Sequence, residues 1–229
     1  MGCDIHLAAE VRQDGVWTPA QEFENEEGCI RVKGKGFYGG RNYRLFSILA
    51  DVRNGYGFAG VRTGEGFCPI SPPRGIPEDC HPATRLYLES YDPGHSHSYH
   101  TMAQLLEFDW TQVSRLQGVL SAKEFWDWDR YSRGQGEGPE SWCGGVGGIG
   151  VRVLEEEEMR PIINAKLAGI QNHAEKLKVL ETELPGLYVR CAWDLPYYKC
   201  ADEFMSCTMP RLWKLGRPED VRILFFFDN

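Results

Sequence analysis

The fold is decided at the start of the chain by the stretch CDIHLAAEVR, which spans residues 3–12. Apart from Ala8, its side chains alternate between apolar and polar, as in a strand that is buried on one face. A turn signal follows at Asp14-Gly15, and residues 16–18 provide a second short strand, so the chain is predicted to open with a β-hairpin. The alternation also places the side chains of Asp4 and His6 on the same face of the first strand.

The remaining elements follow from apolar periodicity and from capping residues. Strands are predicted over Leu187–Trp193 and Val221–Phe227, and helices are predicted over Leu45–Val52 with Asn42 as N-cap, after Thr101, from Glu156 to about Leu180, and over Tyr198–Leu215. These elements predict an α+β fold, with a central mixed or antiparallel sheet covered by helices. We expect residues 1–229 to form a single domain with long Gly/Pro-rich loops, the longest being residues 54–82.

Composition limits the classes of ligand. The 229 residues include 25 basic and 33 acidic side chains, giving a formal net charge of −8, which argues against long nucleic acid as the main ligand. A small phosphorylated ligand needs only a local basic pocket. No stretch approaches ~20 consecutive apolar residues, so no membrane span is predicted. The eight cysteines lack zinc-ribbon spacing and favour reduced thiols in a cytoplasm.

The segment Gly94–His100 holds three of the six histidines, namely His95, His97 and His100. A turn signal precedes it, and we expect a loop. Imidazole exchanges protons near neutrality and is also the commonest metal ligand, so this density favours a functional site that could include His6. The alternative is that these are exposed loop residues and that His6 is a hydrogen-bonded core residue.

Arginines concentrate around glycine and proline turns in one central segment, residues 41–85. Residues 34–39 match the pattern GxGxxG, but no second βαβ unit follows, so a flexible glycine loop is favoured over a dinucleotide site. Backbone amides near a helix start and arginines beside them can still hold phosphate. The residues that we expect to bind a ligand in this way are Arg41, Tyr43, Arg44, Arg53, Asn54 and Arg74.

Two short motifs bear on metal binding. Asp4-x-His6 and His95-x-His97 resemble the first and last metal-binding motifs of calcineurin-like metallophosphoesterases. The intermediate motifs of that family do not occur here, so we predict no metal and no cofactor. A single zinc or manganese ion held by these four residues is the alternative.

At the level of the whole chain, five motifs resemble a family of uncharacterised proteins of bacteriophages and their hosts. The motifs are MGCDIH at 1–6, RNYRLFSILADVRN at 41–54, PPRGIP at 72–77, HSHS at 95–98 and VRILFFFDN at 221–229. The resemblance implies a phage setting. Small phage proteins that act on nucleotides include those that bind or destroy the cyclic nucleotides and ADP-ribose derivatives of bacterial immune systems.

Together these observations lead us to expect a phage-encoded hydrolase of a phosphodiester or pyrophosphate bond in a small nucleotide. His95 and His97 would act as general acid and base, and His6 would complete the proton relay, oriented by Asp4 or another acceptor. Two alternatives stay open: a non-catalytic protein that sequesters such a nucleotide, and a structural or partner-binding protein that uses its tryptophan-rich segment, Trp126–Trp142, as an interface. The sequence predicts no particular oligomeric state.

Overall fold

Within residues 2–26 and 29–228, which the computed structural model describes, nine strands form three sheets. Every strand pairing is antiparallel except one, and helices separate the strands along the chain. The predicted α+β class is therefore confirmed. No helix in these two described ranges has the length and apolar character needed to cross a membrane.

The strands are β1 (Asp4–Gln13), β2 (Val16–Pro19), β3 (Phe23–Glu26), β4 (Cys29–Val32), β5 (His95–Thr101), β6 (Val113–Ser121), β7 (Arg152–Leu154), β8 (Leu187–Pro196) and β9 (Val221–Asp228). The α-helices are α1 (Tyr43–Ala50), α2 (Pro82–Glu89), α3 (Met102–Glu107), α4 (Ala122–Tyr131), α5 (Glu156–Lys166), α6 (His173–Glu183), α7 (Tyr197–Cys200) and α8 (Met209–Trp213).

Contacts within the chain concentrate in two compact units. The first unit comprises the described residues of Met1–Asn54, Phe67–Gln112 and Tyr197–Asn229, and the second comprises Gly55–Gly66 and Val113–Pro196. The second unit is thus built from two insertions into the sequence of the first. The expectation of one domain stays a prediction.

The first unit is built on a four-stranded sheet in the order β2-β1-β9-β5. Strand β9 is central, and its residues Val221–Phe227 are all buried, because the sheet is covered on both faces. On one face Phe227 contacts Phe46 of α1, at 5.0 Å between ring centroids. On the other face Phe226 belongs to an apolar cluster with Tyr87 and Leu88 of α2.

Local signals in the sequence are confirmed where they are strongest. The hairpin β1–β2 forms around Asp14 and Gly15, which both have positive φ. The Asn42 side chain caps α1 by accepting hydrogen bonds from the amides of Arg44 and Leu45. Thr101 starts α3 with a reciprocal capping box.

The histidine segment was expected to be a loop, and this is wrong: His95–Thr101 is strand β5. The reason lies in β9, which is too apolar to leave one edge in water and pairs with β1 on one side and β5 on the other. A bulge between His95 and Ser98 shifts the register. Beyond the bulge, Ser98 and His100 are buried.

Two of the predicted helices are interrupted. The helix expected from Glu156 to Leu180 is divided into α5 and α6, because Gly169 adopts a φ of 81° and Asn172 starts a new helix as its N-cap. The helix expected over Tyr198–Leu215 consists of α7, a π-helical turn at Phe204–Thr208 and α8, which begins next to Pro210.

The second unit holds a three-stranded sheet in the order β6-β8-β7. Strand β8 was expected in the central sheet and instead pairs with β6 and β7, which corrects that prediction. The tryptophan-rich segment, which gave no sequence pattern, contains α4 and a loop that returns to β6. There Gly118 is required, because a Cβ atom would lie 2.5 Å from the Trp142 ring.

Candidate functional site

Polar residues of three strands gather at one end of the four-stranded sheet. Strands β1 and β5 both run antiparallel to β9, so the first residues of both lie beside the last residues of β9. The register pairs Asp4 with Asp228, and His95 with Phe227. The structure thus brings His6 and His95 to the same end of the sheet but on opposite faces, since His6 packs against Phe226 and His95 against Phe227. We name the following residues the sheet-end cluster: Asp4, His6, Arg41, Tyr43, Arg53, His95 and Asp228.

His6 forms a hydrogen bond with a carboxylate in this cluster. Its Nε2 lies 3.0 Å from Oδ2 of Asp228, and the side chains are 20% and 30% exposed. A carboxylate only accepts, so Nε2 donates and Nδ1 of the neutral ring carries the lone pair. The ring is also held between Phe226, stacked at 4.7 Å, and Tyr91 at 4.3 Å. His6 is therefore oriented by Asp228.

Asp4 is held by an arginine instead. Arg41 donates from Nε to Oδ1 at 2.7 Å and from Nη2 to Oδ2 at 2.5 Å, in a two-pronged pair. These bonds lower the pKa of Asp4. A Cβ atom on Gly2 would lie 2.7 Å from the Arg41 guanidinium, so the glycine makes room for this pair. Both charged side chains are about half exposed and accessible to a ligand.

Arg53 has a strained backbone at the same end of the sheet. Its φ of 54° lies in the left-handed region, which residues other than glycine adopt mainly where the surrounding structure enforces it. Its guanidinium lies 5.0 Å from the Tyr43 ring centroid, and the Tyr43 hydroxyl accepts a hydrogen bond from the Cys3 amide. Burial raises the pKa of the Cys3 thiol, with Arg53 opposing, which makes Cys3 a poor nucleophile.

The surroundings of His95 in the sheet-end cluster shift its pKa. Burial lowers its pKa, the Arg53 guanidinium lowers it further, and the Asp228 carboxylate opposes both. Its Nδ1 lies 2.9 Å from the Ser96 hydroxyl. Ser96 has a positive φ of 53°, at the bulge that interrupts β5. The His95 ring is thus mainly neutral at neutral pH.

His97 and His100 make structural contacts. The Nε2 of His97 donates to the Leu88 carbonyl at 2.9 Å, and its ring stacks on Phe226 at 5.2 Å. Because β9 lies between β1 and β5, the Phe226 ring separates His97 from His6. His100 is fully buried, and burial lowers its pKa to about 4.

Three of the expected ligand-binding residues lie elsewhere. The Asn54 side chain accepts a hydrogen bond from the Phe67 amide at 2.7 Å and donates one to the Phe67 carbonyl at 2.8 Å. Arg74 donates to the Tyr99 carbonyl and lies 2.8 Å from Nδ1 of His100, so its loop covers the edge of β5. Arg44 contacts Cys200 and opposes the burial that raises the pKa of that thiol. The structure does not bring these three side chains into the sheet-end cluster.

Asp228 was missed in the sequence. It accepts from both the His6 ring and the Asp4 amide, the latter at 3.1 Å. Asp228 could have been predicted only from the pairing of the first strand with the last one. In an antiparallel pair, the first residues of one strand lie beside the last residues of the other. That pairing joins positions 224 residues apart, which no local pattern indicates.

No cluster of three or more metal-ligating side chains occurs in the two described ranges. Asp4, His6, His95 and His97 each have other partners. Two cavities of about 310 and 340 Å³ are lined by residues of the second unit, and no histidine is among the lining residues. Comparisons with protein-family models, with curated proteins and with solved structures found no match.

Proposed function

We propose that this protein hydrolyses a phosphodiester or pyrophosphate bond in a small nucleotide, and that the reaction takes place at the sheet-end cluster. The observation that carries the proposal is the hydrogen bond between His6 and Asp228. A base that is oriented by a third group is the arrangement by which enzymes activate a hydroxyl or a water molecule. Neither a metal nor an organic cofactor is part of the proposal.

His6 is the general base of the proposed reaction. Asp228 accepts from Nε2, so Nδ1 is the atom that would remove a proton from the attacking water. Asp228 would stabilise the imidazolium that forms, because its carboxylate lies 3.0 Å from the charged ring. A positioned base contributes roughly 10²- to 10⁴-fold to a rate.

Arg41 and Arg53 are the phosphate-binding groups of the proposal. Both guanidiniums belong to the cluster, and arginine matches phosphate oxygens with two parallel hydrogen bonds. Arg41 would have to share its donors between Asp4 and the ligand. Arg53 is directed by its contact with Tyr43 and by its left-handed backbone. Strain of this kind clusters at ligand-binding sites.

His95 would protonate the leaving group of a ligand that lies across the end of the sheet, since His6 and His95 are on opposite faces. Because burial and Arg53 lower its pKa, the protonated form is populated only on the acidic side of neutrality. We therefore expect turnover to fall as the pH rises through this lowered pKa. His97 has no step in the proposed reaction, since its ring is separated from His6 by Phe226.

The same lowered pKa favours a second candidate function, which is sequestration of the nucleotide without turnover. A neutral His95 still donates a hydrogen bond to a phosphate oxygen, although it cannot act as an acid. Two arginines and two imidazoles are sufficient to bind such a ligand. In either case the setting that the motif resemblance implies is the cytoplasm of a phage-infected host, where cyclic nucleotides and ADP-ribose derivatives serve as immune signals.

One experiment distinguishes these functions. The purified protein is incubated with a panel of cyclic dinucleotides, cyclic oligonucleotides and ADP-ribose derivatives, and is then heated, and the supernatant is analysed by chromatography. A changed nucleotide supports hydrolysis, and an intact nucleotide that is recovered only after heating supports sequestration. Recovery of every nucleotide unchanged before heating would contradict both.

A further inference from the structure

The second unit contains a cavity of about 310 Å³ that the proposed function does not use. This volume is at the lower end of the range for small-molecule sites. Helix α4 and Leu177 of α6 form part of its wall, together with the loop residues Glu140 and Ser141. Trp128 and Leu177 supply apolar surface, and the other lining side chains are polar or charged.

The charges that line the cavity are not balanced. Lys123 is the one basic residue of the lining, and its Nζ lies 3.4 Å from Glu181. Glu124 is occupied by capping α4, where its side chain accepts from the Ser121 amide at 2.8 Å. Two carboxylates, Asp127 and Glu140, then remain to face a ligand.

In the described residues neither carboxylate has an arginine or lysine partner, and both are accessible to solvent. Asp127 is paired with His173, whose Nε2 lies 3.6 Å from Oδ1, too far for a good hydrogen bond. The other ring nitrogen of His173 lies 3.2 Å from the Tyr131 hydroxyl. Glu140 forms no ion pair within the described ranges. A ligand would therefore meet two negative charges beside an apolar wall.

The loop that carries Glu140 is fixed on both sides. Before it, the Glu137 carbonyl accepts from the Trp128 indole at 2.8 Å. After it, Cys143 exchanges two backbone hydrogen bonds with Val119, at 2.8 and 3.1 Å. The site is thus ordered before a ligand arrives, which reduces the entropic cost of binding.

From this cavity we infer a binding site for a small organic cation, namely an amine or guanidinium carried on a short aliphatic chain. Asp127 and Glu140 bind the cationic groups, and Trp128 and Leu177 contact the aliphatic part. An anion would meet a net negative lining and is excluded on that ground. This inference is independent of the sheet-end cluster and of any nucleotide chemistry.

The test is isothermal titration calorimetry of the full chain with putrescine, an aliphatic diamine, and with succinate, a dicarboxylate on a skeleton of the same length. We expect putrescine to bind and succinate not to bind. Asp127→Asn and Glu140→Gln should each weaken putrescine binding by about tenfold, the loss expected for one charge-assisted hydrogen bond.

The matched control is Glu157→Gln, which removes a charge from an exposed position of α5 in the same unit. It should leave the affinity unchanged. The inference would be overturned by equal heats for putrescine and succinate. It would also be overturned if the double variant of Asp127 and Glu140 bound putrescine as the unaltered protein does, or if Glu157→Gln weakened binding equally. Circular dichroism of each variant verifies that it is folded.

Discussion

Glu10→Gln should destabilise the first unit, because it breaks the ion pair that fixes β1 against β9. Glu10 and Arg222 are register partners in these strands, with side chains 0% and 4% exposed. Oε2 of Glu10 accepts from Nε and Nη2 of Arg222, at 2.9 and 2.7 Å. The same register places His6 beside Phe226 and Asp4 beside Asp228. The pair therefore supports the geometry of the sheet-end cluster.

The expected loss in the free energy of unfolding depends on the contacts that Arg222 keeps in the variant. Removing one partner of a buried pair costs about 3–5 kcal/mol, because a charge is left without compensation. Arg222 keeps its bond to Oδ1 of Asp79 at 2.7 Å and its contact with Trp17, so we expect the lower end, about 3 kcal/mol. Glutamine has the shape of glutamate, which excludes a packing defect as the cause.

The assay is equilibrium unfolding in urea, which gives the free energy of unfolding of each variant. The matched control is Glu89→Gln, which breaks the exposed pair between Arg85 and Glu89 at 3.4 Å. Such surface pairs contribute about 0–1 kcal/mol. The reasoning would be refuted if Glu10→Gln lost less than about 1 kcal/mol, or no more than the control.

Three further predictions concern pH and packing. His100 has a folded pKa of about 4 against an ordinary value of 6.5, so the unfolded chain binds more protons between these values. A contribution of roughly 3 kcal/mol is thus present above pH 6.5 and lost as the pH falls towards 4, and urea titrations of His100→Gln should lack this slope. Arg53→Gln should raise the pKa of His95, measured by NMR titration of the ring, and an unchanged titration contradicts the proposed proximity. Gly118→Ala should cost about 1–3 kcal/mol in thermal unfolding, because its Cβ would meet Trp142, whereas Gly147→Ala has open space and should match the unaltered protein.

The sequence predicted the elements that local chemistry determines. The turn at Asp14-Gly15, the Asn42 cap and the Thr101 capping box each lie within a few residues of the backbone groups that they organise. The length and apolar character of β9 likewise indicated a buried strand. In these cases the residues and their partners lie in one segment of the sequence.

The rest depended on contacts between distant segments. Whether His95–Thr101 forms a loop or a strand is decided by β9, more than a hundred residues away in the sequence. The role of Asp228 needs the same long-range register. The arginines were predicted to share a ligand pocket, but Arg74 binds the β5 backbone, and of the predicted arginines the described contacts place Arg41 and Arg53 at the sheet end. Arginines that are close in the sequence are therefore divided in the structure between the sheet end and the edge of β5.

The central claim is that His6, oriented by Asp228, acts as a general base on a small nucleotide. The most direct measurement is the turnover number of Asp228→Asn on whichever nucleotide the unaltered protein converts, with His97→Asn as the control. The account predicts a loss of at least about 100-fold for Asp228→Asn with the nucleotide still bound, and a loss below about tenfold for the control. Equal turnover by Asp228→Asn and the unaltered protein would contradict it.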